Sequence, residues 1–213
     1  MYKDITSGSS KFVKDKDKPS IFGEVLNSKL PTEDKECRRI VDEGQAVIAG
    51  GVITTAWASS HFVFHVVSNP KVYQRLQDEL RAAWPDPSIQ LNIFALEKLP
   101  YLRGCIQEAL RLSYGITHRQ TRVHQDRSLR YKDWVIPPGT PIGMTIMDVH
   151  HDESIFPNSE AFIPERWIDG GKSPKGVSLD HYLLAFGKGT RSCVGVKFVL
   201  QSCATRDRAD KVT

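Results

Sequence analysis

Apolar residues recur at helical spacing through the first half of the chain, and the texture changes after Gly115. Residues 1–20 are polar and rich in Lys, Asp and Ser, which predicts a poorly ordered lead. Ile21, Phe22, Val25, Leu26 and Leu30 mark one face of a short helix. Pro31-Thr32-Glu33-Asp34 then predicts the start of a long helix, with Thr32 as cap and the acids at its positive end. That helix runs to about Ser68, where Asn69-Pro70 stops it. A second helix starts with Pro70 at its first position, capped by Ser68 or Asn69, and reaches Trp84. Val72, Leu76 and Leu80 lie on one face of it. Pro85-Asp86-Pro87-Ser88 ends it, and Ile93 to Leu99 gives a short helical turn. Pro100 opens a third helix to Ser113, with Leu102, Ile106 and Leu110 buried.

Beyond Gly115, His118 to His124 reads as extended. Leu129 to Ile136 reads as a strand, Pro137-Pro138-Gly139-Thr140 as a turn, and Pro141 to Met147 as a second strand, together a hairpin. Phe162 to Trp167 reads Phe-Ile-Pro-Glu-Arg-Trp, and a Gly/Ser/Lys loop, Gly170 to Gly176, follows. The fold class is therefore mainly α with small β-sheet elements.

Composition narrows the reading a little. The chain has 213 residues, 40% of them hydrophobic, and a formal net charge of +4. That length suits one large domain or two small ones. No dense Lys/Arg cluster is interleaved with aromatics, so no nucleic-acid partner is expected. Cys37, Cys105, Cys193 and Cys203 form no C-x-x-C pair and no disulfide framework, which fits a reducing compartment. Ala46 to Val67 holds no Asp, Glu, Lys or Arg and is long enough to cross a bilayer. Its Thr, Ser and His residues and its acidic upstream flank favour a helix buried in a protein core instead.

Four stretches carry candidate chemistry. Phe186-Gly-Lys-Gly-Thr-Arg-Ser-Cys-Val-Gly195 puts Cys193 in a glycine-rich loop ahead of an apolar run, with Arg191 two residues away. A thiol ionises more readily at a helix N-terminus or beside a cation, and outright on a metal. A lone buried cysteine would be simple core. Gly50-Gly51 costs the long helix roughly 1 kcal/mol per Gly relative to Ala. It serves close helix packing, or the approach of a flat ligand to the backbone, with Thr54 and Thr55 facing the gap. Glu108 and Arg111 share a helical face. They form either a surface pair of little worth or a buried pair that needs a third partner. His150-His151-Asp152-Glu153 looks like a metal cluster, but adjacent residues on an extended chain point to opposite sides.

Taken in order, these stretches resemble the cytochrome P450 family of haem-thiolate monooxygenases. Gly50-Gly51-Val52-Ile53-Thr54-Thr55 resembles the oxygen-binding segment of its long central helix. Glu108-Ala-Leu-Arg111 resembles its Glu-x-x-Arg motif, and Phe162-Ile-Pro-Glu-Arg166-Trp its Pro-Glu-Arg-Phe/Trp motif. Phe186-x-x-Gly189-x-Arg191-x-Cys193-x-Gly195 matches its haem-binding loop at every fixed position. The flanking text looks most like fungal members that oxidise secondary metabolites. The implied fold is the C-terminal part of the family's, truncated at both ends: residues 21–200 a partial haem domain, 1–20 a lead, 201–213 a divergent polar tail.

The resemblance implies haem (iron protoporphyrin IX) as cofactor, with Cys193 as axial ligand of the iron and Phe186, Gly187, Gly189 and Gly195 shaping the loop. It implies Arg191 and Arg122 as partners of the haem propionates, and Thr54 and Thr55 as catalytic residues near bound oxygen. Glu108, Arg111 and Arg166 would be a buried structural triad. Partners would be a small apolar organic substrate meeting residues 47–55 and 114–121, O2, and an NADPH-dependent reductase. The family's place is the cytosolic face of the endoplasmic reticulum membrane. Without an N-terminal anchor this chain is expected to be cytosolic or peripheral. Two departures stand out: Ile53 occupies a position usually acidic in the family, and the family pattern fails from about Phe198. An inactive remnant of such an enzyme is the alternative reading, and the hairpin would lack its sheet partners.

Overall fold

A computed structural model of the chain describes residues 21–86 and 93–206. The expectations for 1–20, for Pro87-Ser88 and for 207–213 lie outside the described residues. The chain divides into two compact units, Met1–Ile53 and Thr54–Thr213.

The first unit holds helix α1 (Ile21–Asn27), a 3-10 turn (Thr32–Lys35) and the beginning of helix α2 (Cys37–Ser68). Thr32 does not cap the long helix. Pro31 precedes the 3-10 turn without a side-chain cap, and Glu36 adopts an extended conformation (φ −62, ψ 147), so α2 begins only at Cys37. Within this unit Phe22 lies against Gly44, where an added Cβ would meet its ring at 2.9 Å. A Cβ added at Gly50 or Gly51 meets nothing within 4 Å inside this unit.

The second unit is built around helix α5 (Pro100–Ser113), whose residues are buried except Pro100 and Arg103. The remainder of α2 lays Thr55, Ala58, Ser59, Phe62 and Val66 inward, a single stripe at i, i+3, i+4, i+7 and i+11. Helix α3 (Pro70–Ala83) contributes Val72, Leu76 and Leu80. These side chains share one core with Leu96 of helix α4 (Ile93–Leu96), with Leu102, Ile106 and Leu110 of α5, and with Val199 of the last helix, α7 (Val196–Arg206). Tight approach brings α5 onto a 3-10 turn, Pro164–Trp167: a Cβ at Gly104 would sit 2.7 Å from the Pro164 carbonyl oxygen.

The long apolar helix is not buried as expected. Only 22% of its most apolar window is covered. Val47, Ile48, Val52, Ile53, Phe64 and Val67 are exposed, because the described elements cover one stripe of a helix that is apolar nearly all round. By length and composition alone it could cross a membrane.

The hairpin is also smaller than expected. Strands β1 (Leu129–Tyr131) and β2 (Trp134–Ile136) pair antiparallel, with Leu129 opposite Ile136 and Tyr131 opposite Trp134. The turn falls at Lys132-Asp133, with Lys132 in the left-handed region at φ 53. Pro141 to Met147 is not a strand. Ile142 makes one bridge to Arg122, and Thr145 then caps a short helix α6 (Ile146–His150) by accepting the Met147 N–H at 3.1 Å. Pro137 and Pro138 have no N–H to donate, so the pairing cannot continue through them.

Both ends of α5 are closed by distant residues. Leu99 precedes it without a side-chain cap. Instead the Glu79 carboxylate, on α3, accepts the N–H groups of Tyr101 and Leu102, both at 2.8 Å. At the other end Trp57 donates its indole N–H to the Ser113 carbonyl at 2.9 Å. Tyr114 then leaves the helix in the left-handed conformation. Replacing Glu79 by alanine strips an acceptor from two otherwise unpaired helix N–H groups, the loss that a missing N-cap brings. Glu79→Ala is expected to lower unfolding stability by about 1–2 kcal/mol. Urea titration followed by circular dichroism measures it, and a change under a few tenths of a kcal/mol would contradict the capping role.

Candidate functional site

The cysteine loop is set by its backbone. Gly187 and Gly189 take φ 67 and 78, conformations that residues with a Cβ resist. Between them Lys188 is extended, and Gly189–Arg191 forms one 3-10 turn. The Cys193 N–H then returns to donate to the Phe186 carbonyl at 2.8 Å, closing the loop. The Gly195 N–H points back and donates to Cys193 Sγ at 3.3 Å. Helix α7 starts at Val196, so the sulfur sits just ahead of a helix N-terminus, where negative charge is favoured. Cys193 is exposed, and so is Val194 beside it, while Phe186 packs partly into the core.

Arg191 and Arg122 are both exposed. Arg122 exchanges backbone hydrogen bonds with Ile142 at 2.8 and 2.9 Å, and its guanidinium donates to the Thr121 carbonyl and Gln120 Oε1, each at 3.2 Å. Among the described residues neither guanidinium meets a carboxylate. Thr54 is exposed on α2 and Thr55 is buried, with its hydroxyl oxygen unpaired among the described residues. No hydrogen bond or ion pair joins Arg122, Arg191 or Thr55 to the sulfur.

Glu108, Arg111 and Arg166 do come together, far more tightly than their spacing alone predicts. Glu108 and Arg111 have no exposed side-chain surface, and Arg166 is 9% exposed. The Glu108 carboxylate accepts five hydrogen bonds. Arg111 donates from Nη2 at 2.9 Å and Nε at 3.0 Å, Arg166 from Nε at 3.0 Å, Ile163 from its N–H at 3.1 Å, and Trp167 from its indole at 2.8 Å. Arg111 spends its other N–H groups on the carbonyls of His150 (2.8 Å) and Ala161 (3.2 Å). Arg166 spends its own on Pro157 (3.0 Å) and Asn158 (3.3 Å). Every charge is paired, the condition under which burial is tolerable. Sequence reasoning missed Trp167 as a donor. The signal was present: a buried Trp N–H finds an acceptor.

His150 and His151 end a helix and do not lie on an extended strand. Each has both ring nitrogens engaged within the protein. The Tyr114 hydroxyl pairs with His151 Nε2 at 2.6 Å, and His151 Nδ1 pairs with Ser159 Oγ at 3.3 Å. His150 Nδ1 donates to the Arg111 carbonyl at 2.9 Å, and Nε2 accepts the Leu184 N–H at 3.0 Å. The partners leave His150 no choice of tautomer, since a carbonyl only accepts and an amide N–H only donates. Burial pushes its pKa down to about 4. The Arg111 and His151 charges add to that, while the Arg111 carbonyl and Glu108 oppose it.

Comparisons with known proteins bear on the family and the fold. The family model described as Cytochrome P450 matches residues 14–201. The chain is 48% identical over 188 residues to the cytochrome P450 monooxygenase tpcC of Cochliobolus heterostrophus, covering 85% of this chain and 35% of that protein. It is 42% identical over 200 residues to the cytochrome P450 monooxygenase astB of Talaromyces wortmannii, covering 90% and 39%. Its fold is similar to that of a retinoic acid-bound cyanobacterial CYP120A1 at TM-score 0.74 and 23% identity, over 96% of this chain and 46% of that one. The chain thus spans well under half the length of the curated relatives it matches.

The His150 geometry sets a pH dependence. An unfolded histidine titrates near 6.5, above the folded value of about 4, so the unfolded state gains the proton first as pH falls. The contribution of His150 is complete above pH 6.5 and is lost as pH falls through 4. Between pH 7 and pH 4 the wild type should lose about 3 kcal/mol more than His150→Gln, read as the difference in urea midpoints. Parallel pH profiles for the two proteins would contradict this.

Proposed function

The chain belongs to the cytochrome P450 family, and from that premise we propose that it is the haem-binding part of a haem-thiolate monooxygenase. One observation carries the reading. Cys193 is an exposed residue whose sulfur is hydrogen-bonded by a backbone N–H, at the end of a loop closed from Phe186 to Cys193. This donor set fits haem. An N–H aimed at sulfur stabilises thiolate and tunes it as a ligand, and exposed Val194 and Phe198 offer apolar surface nearby in sequence. Haem ligated by a thiolate supplies oxygen activation, because the sulfur pushes electron density that favours O–O cleavage.

The remaining roles belong to the chain's own residues. Cys193 holds the iron, and Gly187 and Gly189 let the loop reach it. Arg191 and Arg122, whose guanidinium groups meet no carboxylate among the described residues, hold the two propionates, a task suited to their planar fork. The hydroxyls of Thr54 and Thr55 hold and pass protons on the oxygen side. Thr55 Oγ1, buried and without a partner among the described residues, leaves an acceptor and a donor for that task. Ile53 supplies no carboxylate to that proton path. Residues 114–121 of the second unit take a small apolar organic substrate, in keeping with fungal relatives named as monooxygenases. Electrons come from an NADPH-dependent reductase, at the cytosolic face of a membrane or in the cytosol. The departure at Ile53 favours a second reading, a chain that binds haem without turning over.

Haem-loaded protein, reduced and exposed to carbon monoxide, tests the reading. The strongly red-shifted Soret band of thiolate-ligated ferrous haem is expected, and Cys193→Ala abolishes it. Folded, haem-loaded protein that lacks the band, or a band that survives Cys193→Ala, overturns the proposal. A band without substrate-dependent NADPH use supports the second reading.

A further inference from the structure

Helix α5 ends with carbonyls that no further turn of helix can satisfy. The Leu110 carbonyl takes the Ser113 hydroxyl at 3.1 Å, and the Ser113 carbonyl takes the Gly115 N–H at 2.8 Å and the Trp57 indole. Gly115 therefore does not supply the Arg111 carbonyl, which an uninterrupted helix would have given it. On the other side, the Leu184 N–H belongs to a non-helical segment and has no backbone acceptor among the described residues. A buried backbone group left in that state costs free energy comparable to a lost hydrogen bond. The His150 ring, with no exposed surface, satisfies both groups at once.

The Leu184 segment is the approach to the cysteine. Its carbonyl accepts the Gly187 N–H at 2.8 Å and fixes the turn where φ becomes positive. Two residues on from Leu184, the Phe186 carbonyl accepts the Cys193 N–H at 2.8 Å. The path from α5 to the sulfur therefore runs through four hydrogen bonds joined by short covalent stretches of backbone: His150 Nδ1 to the Arg111 carbonyl, Leu184 N–H to His150 Nε2, Gly187 N–H to the Leu184 carbonyl, and Cys193 N–H to the Phe186 carbonyl. His150 is also held from behind, since its own carbonyl accepts from Arg111 Nη1 at 2.8 Å. The buried charge cluster thus fixes the backbone that carries the imidazole.

We infer that His150 is a positioning residue for Cys193: its imidazole couples the end of α5 to the Leu184–Cys193 segment and sets how the sulfur is presented. This rests on the reading of Cys193 as the iron ligand, but the coupling itself does not need the iron. Hydrogen exchange on the protein without haem reads it amide by amide. In His150→Phe, which keeps the ring and removes both nitrogens, the amides of Leu184, Gly187 and Cys193 exchange about tenfold faster, the equivalent of one net hydrogen bond. Amides from Cys105 to Leu110 keep their protection. In His150→Gln, whose Oε1 can stand where Nε2 stood, the three loop amides return towards wild type. His150→Asn has an amide donor for the Arg111 carbonyl but is too short to reach Leu184, and it loosens the loop as Phe does. It decides the matter if the Phe variant fails to fold.

Loop amides as protected as wild type in the Asn and Phe variants would overturn the inference, as would equal loosening of α5. Haem-loaded protein gives the second readout. The Phe and Asn variants shift part of the ferrous–carbon monoxide band away from its thiolate position, and Gln restores it. If the wild type shows no thiolate band, the haem reading fails by itself, and the exchange pattern still decides the coupling.

Discussion

A single carboxylate with no access to water organises the second unit. Glu108 could not stay charged there on attraction alone, because taking ions out of water costs several kcal/mol each unless geometry and hydrogen bonds offset it. Five donors from two stretches of chain meet that demand: Arg111 on the same helix, and the Ile163 amide, Arg166 and Trp167 at the facing turn. The two guanidinium groups then bind carbonyls at 150, 157, 158 and 161. A region with very little regular secondary structure is held by charged side chains fixing backbone carbonyls. Removing one partner of such a cluster costs about 3–5 kcal/mol, since it leaves an uncompensated charge in the interior.

The same logic extends outward. Glu165, the residue before Arg166, accepts from Arg75 on α3 at 2.9 Å and from the Tyr101 hydroxyl on α5 at 3.1 Å. Glu79 closes the start of α5, while Trp57 and His150 close its end. The helix at the centre thus has both termini satisfied by residues from elsewhere in the chain, and the last of these, His150, leads to the cysteine loop. The loop has little apolar packing of its own beyond Phe186, so its shape comes from backbone hydrogen bonds and two glycines in the left-handed region.

Much of this was legible in the sequence, for identifiable reasons. Pro at the first helical position and apolar residues at helical spacing marked α3 and α5 almost to the residue, because α3 buries one continuous stripe and α5 carries Leu102, Ile106 and Leu110 into the same core. The membership in the cytochrome P450 family was legible because its motifs recur at fixed spacing around Glu108, Arg166 and Cys193. What was not legible depended on partners distant in sequence. Nothing near Leu99 announces that Glu79 caps the next helix. The Pro137-Pro138-Gly139 turn drew attention from Lys132-Asp133, whose turn needs Lys132 in a conformation that lysine does not advertise. The apolar run in α2 showed that the helix could be buried, but exposure depends on which neighbours are present. His150 and His151 were read as neighbours on an extended chain, because sequence shows imidazoles without showing the groups that occupy them.

The central claim is that Cys193, alone of the four cysteines, ligates the iron. Iron K-edge X-ray absorption on haem-loaded protein tests it directly, in a variant carrying Cys37→Ser, Cys105→Ala and Cys203→Ser and in Cys193→Ser. The account predicts one sulfur scatterer bound to iron in the triple variant and none in Cys193→Ser. Sulfur retained in Cys193→Ser, or absent from the variant whose only cysteine is Cys193, would contradict it.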